Sequence, residues 1–518
     1  MRNSLGLLSL VALSTFAAGQ IEMCPPRPTA GSIVVDPPQL ASQNGALSVD
    51  LTMVNSLGSD GIWNYCYIYG DGSTEAPTLL LNPGDHLTIN LTNHLTDTNH
   101  VTPHRQSHMM EGALSSDPCQ GGGMDAASTN IHFHGLNIPP ACHQDEVIKT
   151  TVQPYSPPFR YTIQIPANDP PGLYWYHPHP HGFTKTQVIG GAAGALIVGG
   201  IENLRPETAG LPQRVFVLRQ QLLPGGSDES SVLSINFVPY QETLYARILM
   251  KPQEKQLWRM VNASSTQFLT LELLNQGLPV NMTLVGLDGI PLQEARQVSS
   301  VVIPPAGRAE VIVQGPPQDG LYQLFNAGFD TGPGGDPNPA VLLANVIPST
   351  NAPDPPVHMP ATTKPAKLER FAGLAEKTPN QQRKLYLSER DDGTKFFITV
   401  EGQKPRLYEP NEPPAIVTRQ GSIEDWTIEN RSTEVHAFHL HQLHFVLLEI
   451  NGKPTNDPSL RDTIIVPYWD GTSGHYPSVK LRVDFRDPET VGTFLYHCHI
   501  LDHEDGGMMA KIKVLPAQ

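Results

Sequence analysis

Three stretches of this chain share one pattern, and that repeat restricts the fold more than any other feature. Gly84-Asp85-His86-Leu87-Thr88-Ile89-Asn90-Leu91-Thr92-Asn93 resembles Gln256-Leu257-Trp258-Arg259-Met260-Val261-Asn262-Ala263-Ser264, and both resemble Gly421-Ser422-Ile423-Glu424-Asp425-Trp426-Thr427-Ile428-Glu429-Asn430. Each is a turn followed by alternating apolar residues running to an Asn, the two-residue period of a strand with one buried face. The copies begin roughly 170 residues apart, which predicts three related β-domains. A chain of 518 residues, at about 150 per domain, agrees with that number. With 44 Gly and 50 Pro and no heptad period, the chain reads as many short strands joined by turns. Greek-key sandwiches or barrels fit this pattern better than βαβ units, and a helical bundle is excluded.

Composition shifts mark the expected divisions. Residues 1–19 read as a signal peptide: Arg2 supplies a positive charge, Leu5–Ala18 is apolar, and Ala17-Ala18-Gly19 is a cleavage site. That run is shorter than the ~20 residues a membrane span needs, so no span is expected in the mature protein. The first domain is expected over 28–205 and the second over 206–350. A Pro-, Thr- and Ala-rich linker follows at 351–367, and the third domain covers 368–518. Arg105–Asp125, with its Gly121-Gly122-Gly123 run, reads as a surface loop. The net charge of −16 repels phosphate backbones and argues against nucleic-acid binding. Nothing in the sequence marks an oligomer interface, so a monomer is expected.

Five cysteines is an odd number for an exported chain. Cys24, Cys66, Cys119 and Cys142 could form two disulfides, with Cys24–Cys66 and Cys119–Cys142 the preferred pairing. Cys498 stands apart between His497 and His499. An exported thiol in that setting is most simply a metal ligand.

Ten of the 20 histidines fall in four clusters. These are His132-Phe133-His134, His177-Pro178-His179, His436-Ala437-Phe438-His439-Leu440-His441, and His497-Cys498-His499 followed by His503 and Met508. Two lie in the first domain and two in the third, so sites built from them would form where those domains meet. Alternate residues of a strand share a face. His497 and His499 therefore point one way and Cys498 the other. On a strand, His439 and His441 share a face that His436 does not. Two separate centres follow. A thiolate, the imidazoles of His436 and His503 and the thioether of Met508 make a blue-copper donor set, whereas zinc would prefer four strong ligands. His132, His134, His177, His179, His439, His441, His497 and His499 are too many imidazoles for one ion and suggest several coppers.

This pattern resembles the multicopper oxidases, the family of laccases, ascorbate oxidase and bacterial copper-efflux oxidases. The likeness extends through Trp258–Ser264 and Pro304–Val313 and covers essentially the whole mature chain. It implies an all-β fold of three cupredoxin-like Greek-key barrel or sandwich domains. It also implies four copper ions, one type 1, one type 2 and two type 3. By motif, His436, Cys498, His503 and Met508 correspond to the type 1 ligands and His132 and His439 to the type 2 pair. His134, His177, His179, His441, His497 and His499 correspond to the type 3 ligands. The implied reaction takes single electrons from a donor, through an exposed edge of His503, and reduces O₂ to water. Two carboxylates would relay protons: Glu504, which matches a family acid, and Asp145, thirteen residues after His132.

The chain departs from the pattern in places. Ala437 stands where Pro is usual, and no long Met-rich insert is present; His108-Met109-Met110 and Met124 are a faint echo of one. His181 and His444 extend two clusters but are expected to pack or face solvent. The expected donor is a small phenol or aromatic amine. The main alternative is a metallo-oxidase for Cu(I), Fe(II) or Mn(II), guided by Asp502, Glu504 and Asp505. A non-catalytic copper-binding or structural protein would have lost ligands, and none of the twelve is missing. Four Asn-x-Ser/Thr sequons occur, at Asn90, Asn262, Asn281 and Asn430. Export to the periplasm or the medium is expected.

Overall fold

The computed structural model describes residues 23–70, 72, 74–96, 117–121, 123–223, 230–360, 370–390 and 393–518. The signal-peptide segment, His108-Met109-Met110 and the end of the linker lie outside the described residues. Among the described residues strands dominate, arranged in six sheets that stack in three pairs. Each pair encloses its own apolar core, represented by Leu51, Ile89 and Tyr161 in the first, Trp258, Leu271 and Val311 in the second, and Trp426, Phe438 and Leu481 in the third.

The three repeated stretches take equivalent places. The strands His86–His94, Lys255–Ala263 and Ile423–Asn430 each pair in parallel with an earlier strand and antiparallel with a later one. The terminal Asn explains why the repeat ends as it does. Asn93, Asn262 and Asn430 are fully buried. Asn262 and Asn430 accept from the backbone N–H two residues on, as does Asn93. Their amides donate to carbonyls of neighbouring segments: Asn93 to Val152, Asn262 to Ile303 and Asn430 to Glu434. Each Asn thus pins the strand end to the next crossover. It also closes the sequons at Asn262 and Asn430 to any glycan in the folded chain.

Apolar seams join the sandwiches. Trp175, Ala195 and Ile197 of the first pack on Val215, Val261 and Ala306 of the second. Ile290 of the second meets Phe371 and Leu460 of the third, and Val147 and Ile148 of the first meet Leu495 and Met509 of the third. The last seam brings the two histidine-bearing sandwiches face to face. Two segments cross between units. Val34 enters the core of the middle sandwich, its N–H donating to the Arg247 carbonyl. Val357 of the linker packs into the seam between the first two sandwiches. The disulfides are Cys24–Cys66 and Cys119–Cys142, and Cys498 is free and buried.

Candidate metal centres

Strand geometry sorts the third and fourth clusters onto two faces. His436–Leu440 runs antiparallel to Gly492–Cys498, with Phe438 opposite Cys498 and His439 opposite His497. Side chains alternate along both strands, so His436 and Cys498 fall on one side and His439 and His497 on the other. On the first side, Cys498 Sγ lies 3.7 Å from Nδ1 of both His436 and His503, and those two nitrogens are 3.1 Å apart. The short helix Leu501–Asp505 delivers His503, and the turn at Gly506 and Gly507 returns the chain. Gly507 has φ +107, and an added Cβ would meet Leu407 at 2.8 Å. Met508 lands in the same buried core as Cys498, and its carbonyl accepts the Cys498 N–H.

The other nitrogen of each ring is held by protein. His436 Nε2 pairs with Ser432 Oγ at 2.7 Å, and His503 Nε2 with Glu434 Oε2 at 3.2 Å. Phe396 stacks on the His503 ring at 4.1 Å. His503 is only 3% exposed, so the expected exposed edge is corrected. Glu434 covers that edge, and both residues line a cavity of about 680 Å³ between the middle and third sandwiches.

On the second side eight imidazoles converge, four from each outer sandwich, all buried. His132–His134 pairs antiparallel with Gly172–His177, setting His132 opposite His177. The stacked pairs His132–His441 and His134–His439, each with ring centres 3.9 Å apart, cross the seam between the outer sandwiches. Burial lowers the pKa of His132, His134, His439, His441 and His499, assisted in each case by neighbouring imidazoles. Neutral imidazole is the metal-binding form.

The free nitrogens test whether metal fits. His132 Nε2, His134 Nδ1, His177 Nε2, His179 Nε2, His439 Nε2, His441 Nδ1 and both nitrogens of His499 are buried without a protein hydrogen bond. His497 Nε2 lies 3.0 Å from His441 Nε2. Unpaired buried nitrogens in such number are costly unless ions bind them. Second partners orient the rings, as metal-binding histidines require. His132 Nδ1 meets Asp145, His177 Nδ1 the Pro178 carbonyl, and His439 Nδ1 the Asp462 carbonyl. Triads of potential ligands form at His132–His134–His177, His132–His439–His441, His179–His441–His497 and His436–Cys498–His503. The ten histidines and Cys498 singled out from the sequence thus gather at two adjacent centres, and Met508 shares the buried core of Cys498.

Both expected carboxylates are at the histidine centre. Asp145 accepts from the Phe133 N–H and from Gln442, and burial pushes its pKa well up. Glu504 lies 3.1 Å from His497 Nδ1 and 3.5 Å from His179 Nε2. Burial would raise its pKa, but the imidazoles of His179 and His497 outweigh that and hold it below the usual carboxylate range. The trio Asp502, Glu504 and Asp505 is corrected in part: it does not act as one group, and only Asp502 lines the cavity beside His503. Glu504 faces the histidine centre, Asp505 accepts from the N–H groups of Thr184 and Lys185, and Asp502 pairs with Lys185. His181 and His444 pack, as expected, His181 half-buried and His444 within the interior. His181 packs edge-on to Tyr408, and His444, fully buried, donates to the Asp288 carbonyl. Sequence reasoning missed Gln442, Glu434, Asp462 and Arg308, which no local motif marks.

Fold and site together define a copper oxidase with a cysteine centre joined through one strand to a histidine centre. The chain belongs to the multicopper oxidase family: models of that family match residues 123–202, 206–344 and 376–518. It is an oxidoreductase, and membership implies copper. A multicopper oxidase of Staphylococcus haemolyticus is 24% identical over 462 residues, covering 86% of this chain and 83% of the relative. A laccase of Bacillus subtilis is 22% identical over 494 residues, covering 88% and 90%. Among solved structures, a multicopper oxidase of Aquifex aeolicus superposes with TM-score 0.67 at 19% identity, covering 93% of this chain and 99% of that one. A metallo-oxidase of Campylobacter jejuni gives TM-score 0.67 at 21% identity, covering 97% and 99%. At these identities the structural likeness speaks to the fold.

Proposed function

We propose that the protein is a laccase-type oxidase. Four single-electron oxidations of phenolic or aromatic amine donors would be coupled to reduction of one O₂, with four protons, to two waters. Cys498 carries this reading: its thiol lies in one centre while its bonded neighbours, His497 and His499, turn their rings into the other. Electrons entering beside Cys498 would have a covalent path of a few bonds. Copper, one ion held by His436, Cys498, His503 and Met508 and three by the eight remaining histidines, would supply the one-electron acceptor and the site of O₂ reduction.

The protein groups have separate tasks. Glu434, against His503 Nε2, is placed to accept the proton a phenol or aniline loses on oxidation. The cavity of about 680 Å³ above it falls in the range of ~300–1,000 Å³ usual for organic ligands. Glu504 and Asp145, whose environments push their pKa values apart, would hold and release protons beside the histidine centre. Two disulfides suit an oxidising compartment, so we place the protein outside the cytoplasm. No helix among the described residues is long and apolar enough to cross a membrane.

A second reading rests on the cavity wall. Asp336, Glu389, Glu434 and Asp502 all line it, with Lys185 beside Asp502. Such a wall would also suit a metal-ion donor. Oxygen uptake by the copper-loaded protein, with a methoxyphenol compared against Fe(II), Mn(II) and Cu(I) and corrected for autoxidation, decides between them. Fast uptake with the phenol and slow uptake with the ions is expected; the reverse would make the protein a metallo-oxidase.

A further inference from the structure

The middle sandwich offers none of the twelve candidate ligands, yet it reaches the histidine centre through one side chain. Arg308 opens the strand Arg308–Gln314 of that sandwich, and its side chain is completely buried. Its guanidinium contacts all three units. Nε donates to the Leu173 carbonyl of the first sandwich at 3.3 Å. Nη1 donates to the Ala306 carbonyl within its own. Nη1 and Nη2 grip the carboxylate of Asp462 in the third, at 2.7 and 2.6 Å. Asp288 lies 3.6 Å from Nη1 as a second negative partner.

Asp462 then touches the imidazoles. Its Oδ1 is 3.3 Å from His134 Nε2 and accepts from Thr463 Oγ1 at 2.9 Å. Its backbone carbonyl accepts from His439 Nδ1 at 2.9 Å. These contacts leave His134 Nδ1 and His439 Nε2 unpaired and buried. His134 differs from His132, whose Nδ1 is tied to Asp145 and whose Nε2 is free. The two rings of one His-x-His pair therefore present opposite nitrogens, and different carboxylates decide which. Gly135 makes room for this arrangement. A Cβ there would lie 2.3 Å from Arg308 Nη2 and 2.8 Å from Asp462 Oδ2.

We infer that Asp462, clamped by Arg308 of the ligand-free middle sandwich, is a positioning residue that selects Nδ1 of His134 and Nε2 of His439 as the metal-facing nitrogens. A carboxylate held from two directions by a guanidinium cannot rotate away, so it fixes both the tautomer and the tilt of His134. This inference rests on the histidine centre binding copper, as proposed above.

The test uses the copper-loaded full chain and two variants, Asp462→Asn and Arg308→Lys. Copper content, the blue absorption of the Cys498 centre, the electron paramagnetic resonance signal of the histidine centre and the unfolding temperature of metal-free protein are measured for each. With Asp462→Asn, we expect unchanged blue absorption and near-normal metal-free unfolding. The histidine centre should show an altered resonance signal and bind copper 10- to 100-fold more weakly against a competing chelator, the effect typical of second partners of metal ligands. Arg308→Lys keeps the charge but loses the two-pronged grip, and should give the same selective loss to a smaller degree. It also serves if Asp462→Asn does not fold. Unchanged copper affinity and resonance signal in the folded variant would overturn the inference. So would parallel loss of both centres with collapse of metal-free stability, which would make the pair a strut between sandwiches. Wild-type protein that binds copper at Cys498 alone would overturn the proposed function, and the inference with it.

Discussion

Cys498 and Met508 show how much one side chain can decide. Met508 sits in the buried core beside Cys498, and a thioether favours Cu(II) more than an apolar side chain does. Met508→Leu is therefore expected to keep the blue colour and raise the redox potential, measured by redox titration; an unchanged potential would remove Met508 from the ligand set. Glu504 makes a different prediction because it faces the other centre. Glu504→Gln should leave anaerobic bleaching of the blue band by donor at the wild-type rate, while reoxidation by O₂ slows about 100-fold or more, the usual share of a positioned proton carrier. Stopped-flow absorbance separates the two steps. Both residues were legible because they sit inside a dense run of ligands. Glu434 was not, since only folding brings it to His503.

At the scale of the element, the repeated strands carry their own anchor. Asn262 is fully buried and its amide donates to two carbonyls, those of Gln267 and Ile303. Asn262→Ala orphans these groups and should cost about 1–3 kcal/mol of stability, read from denaturant unfolding. The sequence shows the alternation and the Asn, but not the segments the Asn holds. Asp457 offers an element-level pH effect. Burial would raise its pKa, but Arg296 of the middle sandwich, with Arg461 and Ser459, outweighs burial and holds it well below the ordinary 3.8. A depressed carboxylate adds stability above its unfolded pKa and loses it as pH falls through the folded one. Asp457→Asn should thus lower the unfolding temperature at pH 7, and lower it less near pH 2, where part of that support is already lost, by calorimetry at both values.

For the whole molecule, the histidine centre is both the reactive site and a liability of the seam. Eight buried imidazoles meet between the outer sandwiches, and burial holds several far below 6.5, His177 down to about 3. A histidine whose folded pKa is depressed stabilises the fold above pH 6.5 and withdraws that support as pH falls, because the unfolded chain takes up the protons. Metal-free protein should therefore lose thermal stability steeply between about pH 7 and 5. Copper-loaded protein should unfold at higher temperature at pH 7, with its loss displaced to lower pH. Scanning calorimetry with and without a chelator checks both, and restored copper should restore the melting temperature.

Local pattern settled a good part of this molecule. Alternation with a period of two marks the repeated strands, and the odd or even offset within each His cluster assigns Cys498 and His436 to one face and His439 and His497 to the other. Those inferences succeed because strand geometry is a property of adjacent residues. The closing of the Cys498 edge by Glu434, the division of Asp502, Glu504 and Asp505 among three environments, and the reach of Arg308 to Asp462 are decided by tertiary structure. Arg308 and Asp462 are 154 residues apart. Their pairing depends on how three sandwiches pack, and side-chain packing across a seam leaves no period in the sequence of either partner.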